Sequence, residues 1–165
     1  MVKIELLALG ILRRDGRIVM VRQEAADGTS YWVLPGGLVE PGELVSEALA
    51  REVAEEAGVT ISGEHALAYT SQIDRPGQPS QVVAFVFEVG EWSGTLGPQD
   101  PDGEVLEAAL VSPAEALERI QTTFWRGMRE PLRLYLDGEL KPGALLCFRE
   151  FDGLADQRLV ARIGG

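Results

Sequence analysis

Apolar residues along the chain repeat with two different periods, and the change between them marks out the elements. Before Pro35 the period is two. Val2 to Leu12 and Arg17 to Gln23 are β-prone runs flanking Asp15-Gly16, a dipeptide that favours a tight hairpin turn. Tyr31 to Leu34 then reads as a short strand leading into Pro35-Gly36-Gly37. From Leu44 the period becomes helical: Leu44, Ala48, Leu49, Val53 and Ala57 recur at helical spacing with no Pro or Gly between them. Gly58 follows, a residue that tolerates the left-handed conformation in which helices stop.

Period two returns afterwards. His65 to Asp74 and Ser80 to Val89 read as paired strands around the turn-forming Arg75-Pro76-Gly77-Gln78-Pro79. Val82 to Phe87 is almost continuously apolar, which predicts a strand buried on both faces. Glu91 to Gly103 reads as a loop and Val105 to Val111 as a strand. Ser112-Pro113-Ala114-Glu115 is a capping box with proline at the first helical position, so a short helix should run to about Ile120. A second is expected to be capped by Thr122 or Thr123 and stopped at Asp137-Gly138, with Pro131 displacing or kinking it. Ala144 to Phe151 and Arg158 to Ile163 read as a terminal hairpin. Strands on both sides of a central helix, with helix again near the end, predict a mixed α/β sandwich.

Composition narrows the setting. The 165 residues suit one domain spanning 1–165, and 45% hydrophobic with 25% charged residues is ordinary for a globular protein. No apolar run is long enough to span a bilayer, and the N-terminal stretch has neither the apolar length nor the cleavage site of a signal peptide. Cys147 is alone, which excludes an internal disulfide and suits a reducing compartment, so the cytoplasm is expected. A net charge of −11 argues against long nucleic acid as a partner. It does not exclude a small anion, because a divalent cation and local arginines reverse the field inside a cleft.

The candidate chemistry lies in the helical segment. Glu52, Glu55 and Glu56 sit at i, i+3 and i+4 and share one face. On a partly buried face such carboxylates repel by about 3 kcal/mol per pair at roughly 6 Å and an effective dielectric near 20. A solvated acidic face is one reading. The other follows from Leu34-Pro35-Gly36-Gly37 and Pro41-Gly42-Glu43, turns that bring backbone carbonyls beside the acids. Carboxylate and carbonyl oxygens with water are what hard cations such as Mg²⁺ prefer.

Gly37, Glu43, Arg51, Glu52, Val53, Glu55, Glu56, Gly58 and Val59 together resemble the Nudix signature, G-x5-E-x7-R-E-U-x-E-E-x-G-U with U aliphatic, at every specified position. The resemblance implies an α/β/α sandwich with a mixed β-sheet. It also implies an enzyme that uses Mg²⁺ or Mn²⁺ to hydrolyse a nucleoside diphosphate linked to another moiety. Glu52, Glu55 and Glu56 are then metal ligands, joined by a carbonyl of Gly36 or Gly37. Arg51 orients Glu55 and pairs with Glu43, both behind the metal. The resemblance further implies one more acid on a distant loop, acting as ligand or base. Glu104 is the candidate, with Glu107 and Asp102 behind it and a solvated turn as the alternative.

Arg22 ends a strand near the signature loop and is a candidate for a terminal phosphate or an exposed edge charge. Trp32, Tyr69, Phe124 and Trp125 are candidates for stacking a base or for core packing. His65 has no acid at useful spacing and reads as structural. Pro76 lies 17 residues beyond Val59, near where several ADP-ribose-cleaving members carry a proline, while nucleoside triphosphates, oxidised ones included, stay equally open. A homodimer is also left open. The competing function is a Nudix-fold module that binds nucleotides without cleaving them. Intact glutamates argue against it.

Overall fold

The computed structural model describes residues 3–164. Two sheets carry most of the chain. The larger has six strands in the order β12-β11-β7-β8-β1-β5, built from β1 (Lys3–Ile11), β5 (Gly36–Leu38), β7 (Ala66–Asp74), β8 (Ser80–Glu88), β11 (Ala144–Glu150) and β12 (Gln157–Ile163). It is mixed: β1 runs parallel to β8 and β11 parallel to β7, while the other pairs are antiparallel. The second sheet joins β10 (Val105–Val111), β3 (Arg17–Glu24) and the two-residue β2 (Arg13–Arg14), with β4 (Ser30–Val33) also on β3. Helix α1 (Val45–Ala57) packs on β1, β5 and β6 (Val59–Ser62), and α3 (Arg126–Leu136) on β7, β11 and β12. This is the mixed α/β layering that the alternation of periods predicts.

Helix α1 is specified at both ends. Leu44 is its N-cap in extended conformation, and the Glu47 carboxylate reaches back to accept the Leu44 N–H at 2.8 Å. Ala48, Leu49, Val53 and Ala57 are buried, each large apolar member contributing about 1.5–3 kcal/mol. Gly58 closes the helix at φ 71°, and a Cβ there would stand 2.0 Å from the Gly97 carbonyl oxygen. Only glycine fits. The chain after Gly94 is hung from this end of the helix, since the N–H groups of Gly97 and Gln99 donate to the carbonyls of Ala57 and Glu55.

Four details depart from the sequence reading. Glu91–Gly94 is a strand, β9, paired with β6, rather than the start of a loop. Trp92 fixes it: the indole is buried, donates to the Arg13 carbonyl at 2.9 Å and lies under the Arg14 guanidinium. The signature loop itself forms β5 on the edge of β1. In β8, Ala84 and Val86 are buried while Val83, Phe85 and Phe87 are half-buried, because one face of the sheet is only partly covered. Of the predicted first strand, Val2 lies outside the described residues.

The fourth departure concerns α3. Helix α2 (Pro113–Arg119) starts as predicted, with the Ser112 hydroxyl accepting the Glu115 N–H at 3.2 Å. A 3₁₀ turn over Ile120–Thr122 follows, so neither Thr122 nor Thr123 caps the next helix, and Trp125 takes that place. The Thr122 hydroxyl is engaged instead, accepting from the Trp32 N–H and donating to the Arg119 carbonyl. Pro131 sits inside α3 without displacing its start. It removes the N–H that would bond the Gly127 carbonyl. Ser71, buried on β7, supplies the substitute donor at 2.6 Å.

Candidate active site

Between the two sheets and α1 lies a cleft of about 610 Å³. Its inner end is acidic: Glu52, Glu55 and Glu56 from α1, Gly36 and Gly37 from β5, and Asp100, Asp102 and Glu104 from the loop before β10 all line it. The remaining wall is apolar: Leu7 and Leu9 stand beside β5, Ile73 and Val82 lie farther along the sheet and Met128 comes from α3, while Tyr31 and Trp125 meet edge to face at 6.5 Å. Charged groups set beside an apolar, aromatic-bearing wall are the usual make-up of a small-molecule site.

Glu56 is the most deeply held of the acids, only 7% exposed. Its Oε2 accepts the Gly36 N–H at 2.8 Å and its Oε1 accepts from the Gln23 amide. Burial pushes its pKa up to about 8, and the nearby Glu52 charge adds to this, against the pull of the two hydrogen bonds. Gln23 is itself placed by the Tyr31 hydroxyl, which donates to its Oε1 at 3.0 Å. Burial raises the Tyr31 pKa too, helped by the charges of Glu104 and Glu56. A relay from Tyr31 through Gln23 to Glu56 thus crosses from the second sheet to the helix.

Glu52 is half-buried, and burial raises its pKa against the attraction of Arg51. Its carboxylate lies flat on Gly37, where a Cβ would meet all three carboxylate atoms at 2.6–2.7 Å. Arg51 is the hub of the acidic end. It donates to Glu43 at 2.9 and 3.0 Å, to Glu52 at 2.8 Å, to Glu55 at 3.2 Å and to the Leu38 carbonyl at 3.0 Å. The hydrogen bond to Glu43 is the chief reason its pKa is raised, and the same bond lowers that of Glu43. Glu43 also accepts the Glu40 N–H at 3.0 Å, so it pins the turn before the helix.

The loop acid Glu104 is exposed and reaches the cleft. Asp100, which the sequence reading passed over, organises it. Asp100 Oδ2 accepts the N–H groups of Glu104 at 2.7 Å and Val105 at 3.0 Å, and Oδ1 accepts that of Asp102 at 3.2 Å. A carboxylate wrapped by the N–H groups that follow it is the Asx-turn logic of D-P-D-G, and that was the available signal. Glu107 lies off the cleft.

Arg22 also lies off it, at 3.3 Å from Glu107. Successive strand residues face opposite ways, and since Gln23 faces Glu56, Arg22 faces out. The phosphate contact considered for Arg22 does not fit this placement. Of the aromatic candidates only Trp125 lines the cleft. Trp32 packs against the Arg119 guanidinium, Tyr69 is buried against Tyr135, and Phe124 is 49% exposed beside Tyr31. His65 accepts the Gly90 N–H at 3.3 Å, a structural role.

No three His, Cys, Asp or Glu side chains among the described residues stand close enough together to hold a metal ion as they are. Arg51 Nη1 occupies an oxygen of both Glu52 and Glu55, and Gly36 and Gln23 hold Glu56. The donor chemistry nevertheless fits: the acidic end of the cleft offers carboxylate oxygens with a single, shared cation among them.

The sequence profile of the NUDIX domain matches residues 3–135. The chain belongs to the Nudix family. It is 34% identical over 120 residues to the CTP pyrophosphohydrolase of Escherichia coli, covering 70% of this chain and 80% of that one. It is 33% identical over 87 residues to the ADP-ribose pyrophosphatase of Methanocaldococcus jannaschii, covering 53% of this chain and only about half (51%) of that protein. The crystal structure of the MutT protein from Bacillus halodurans superimposes with a TM-score of 0.71 at 22% identity, covering 96% of each chain, and so shares the Nudix fold. No helix among the described residues is long and apolar enough to cross a membrane.

Proposed function

We propose that this protein hydrolyses the pyrophosphate bond of a nucleoside diphosphate linked to another moiety, with Mg²⁺ or Mn²⁺ as cofactor. The observation that carries the reading is one cleft lined by Glu52, Glu55, the buried Glu56 and the loop acid Glu104 together with an apolar, aromatic-bearing wall. Relatives named for CTP and for ADP-ribose fit the same outline, so both substrate types belong in the first panel.

Glu52, Glu55 and Glu56 would hold the metal, with a carbonyl of Gly36 or Gly37 completing the oxygen set. The bound cation would neutralise phosphoryl charge and lower the pKa of a water. The chain's own groups do the rest. Arg51 holds Glu52 and Glu55 in position, Gln23 and Gly36 fix Glu56, and Glu104 takes the proton of the attacking water. Leu7, Leu9 and Met128 exclude bulk water from the cleft wall.

The test is product release from nucleoside triphosphates and nucleotide sugars with Mg²⁺ present, for the wild type and Glu56→Gln. Metal-dependent turnover lost in the variant supports the reading. Full turnover in excess chelator, or none with any nucleotide, overturns it.

A further inference from the structure

Two arginines line the cleft, Arg51 and Arg75. Arg51 is committed to three carboxylates. Arg75 is not. Among the described residues it makes no ion pair, and its Nε is buried without a hydrogen-bond partner. A buried donor left unpaired is costly and rare, and in a cleft it marks a place where a ligand supplies the acceptor.

Its position says which part of a ligand. The strand register sets Glu5, Val82 and Ile73 in one row on the cleft face of β1, β8 and β7. Arg75 follows Ile73 by two residues and lines the same wall. The glycines of β5 lie three strand spacings away across the sheet, about 14 Å at about 4.8 Å per strand. Arg75 is therefore remote from the acidic end, with Leu7, Ile73, Val82 and Met128 between. If phosphates occupy the acidic end, the apolar stretch faces sugar and base, and Arg75 meets the outer edge of the base.

We infer that Arg75, with Glu5 on the same wall, reads the base and selects guanine or cytosine over adenine and uracil. A guanidinium donates two parallel N–H groups, which need two neighbouring acceptors. Guanine offers O6 and N7, and cytosine offers O2 and N3. Both also carry an amino group that a carboxylate such as Glu5 accepts. Adenine and uracil place an N–H group beside each edge acceptor and cannot take the fork. This assignment rests on the proposed nucleotide chemistry for its phosphate end, and its test is a binding measurement that does not need turnover.

Calorimetric titration with Mg²⁺ and the four nucleoside triphosphate analogues bearing imido bridges gives the base preference directly. The wild type should bind the guanosine and cytidine analogues roughly 5- to 100-fold more tightly than the other two. Arg75→Gln and Arg75→Lys should both lose that preference, since lysine keeps the charge but not the fork. Binding of the adenosine and uridine analogues should stay within about two-fold. A wild type without base preference overturns the assignment. So does an equal loss for all four bases, which makes Arg75 a phosphate contact, or a preference retained by Arg75→Lys. If the preference is found but natural nucleotides are not cleaved, the hydrolase reading falls while Arg75 keeps its role.

Discussion

The backbone N–H of Gly36 and the carboxylate of Glu56 are joined by a 2.8 Å hydrogen bond that ties the edge strand β5 to helix α1. With Gln23 on the other oxygen, both carboxylate oxygens of Glu56 are held where it lines the cleft. Two hydrogen bonds favour its charged form, yet burial beside Glu52 outweighs them and its pKa stands at about 8. The metal-free site therefore keeps a proton at neutral pH that a cation must displace.

Stability in chelator should fall as pH rises. The unfolded chain loses the Glu56 proton near 4.5, the folded chain near 8, so the folded state binds more protons between those values. A raised acid pKa contributes stability that is full below about 4.5 and lost as pH climbs through 8, here a few kcal/mol at most. Thermal melts at pH of about 5.5 and about 8.5 should show the higher Tm at the lower pH, and Glu56→Gln should flatten the difference. A wild-type Tm that rises over this interval contradicts the burial of a neutral Glu56.

Gly37→Ala should weaken metal binding more than folding. The new methyl group overlaps the Glu52 carboxylate, the far end of a flexible side chain, so the cost falls on where that carboxylate sits. The concentration of Mg²⁺ giving half-maximal activity should rise about ten-fold or more, while Tm drops by only a few degrees. An unchanged metal requirement means that Glu52 does not reach the metal from its place over Gly37.

How much of this was legible in sequence depended on how local each cause was. The period of Leu44 to Ala57, the left-handed Gly58 and the capping Ser112 act within a turn of chain, and their elements stand where expected. The grouping of Glu52, Glu55 and Glu56 followed from helical spacing alone. What was missed depends on pairing between distant segments. Strand β9 is four residues of EWSG whose partner lies beyond the helix, and Trp92 belongs there because Arg13 and Arg14 meet it. Gln23 matters only because β3 comes opposite α1, and an isolated strand pattern does not say which of Arg22 and Gln23 faces inward. Pro131 predicts a displaced or kinked helix because its remedy, Ser71, is 60 residues away.

That remedy is testable. Ser71→Ala leaves the buried Gly127 carbonyl without a donor and should cost about 1–3 kcal/mol. Pro131→Ala restores the helical N–H to the same carbonyl. In the Pro131→Ala background the Ser71→Ala change should therefore cost less, and a double-mutant cycle on denaturant-derived stabilities reads the coupling. Additive effects mean that Ser71 and Pro131 are independent.

The last prediction concerns Glu104, which the Asp100 turn presents to the cleft from a loop anchored at the Glu24 N–H and the end of α1. Glu104→Gln keeps size and hydrogen bonding but removes charge and basicity. General-base catalysis is worth about 10²- to 10⁴-fold, so kcat should fall by that order. KM should change little, because the apolar wall and the cation that the α1 carboxylates would hold keep the substrate in both proteins. The pH–rate profile should lose its acidic limb as well, since the group whose deprotonation the limb reports is gone. Asp100→Ala supplies the control on position: it keeps the Glu104 carboxylate but frees the loop, so kcat should fall while the acidic limb persists. A near-normal kcat for Glu104→Gln across the pH range makes Glu104 a solvated turn residue and moves the base to Glu52 or Glu55.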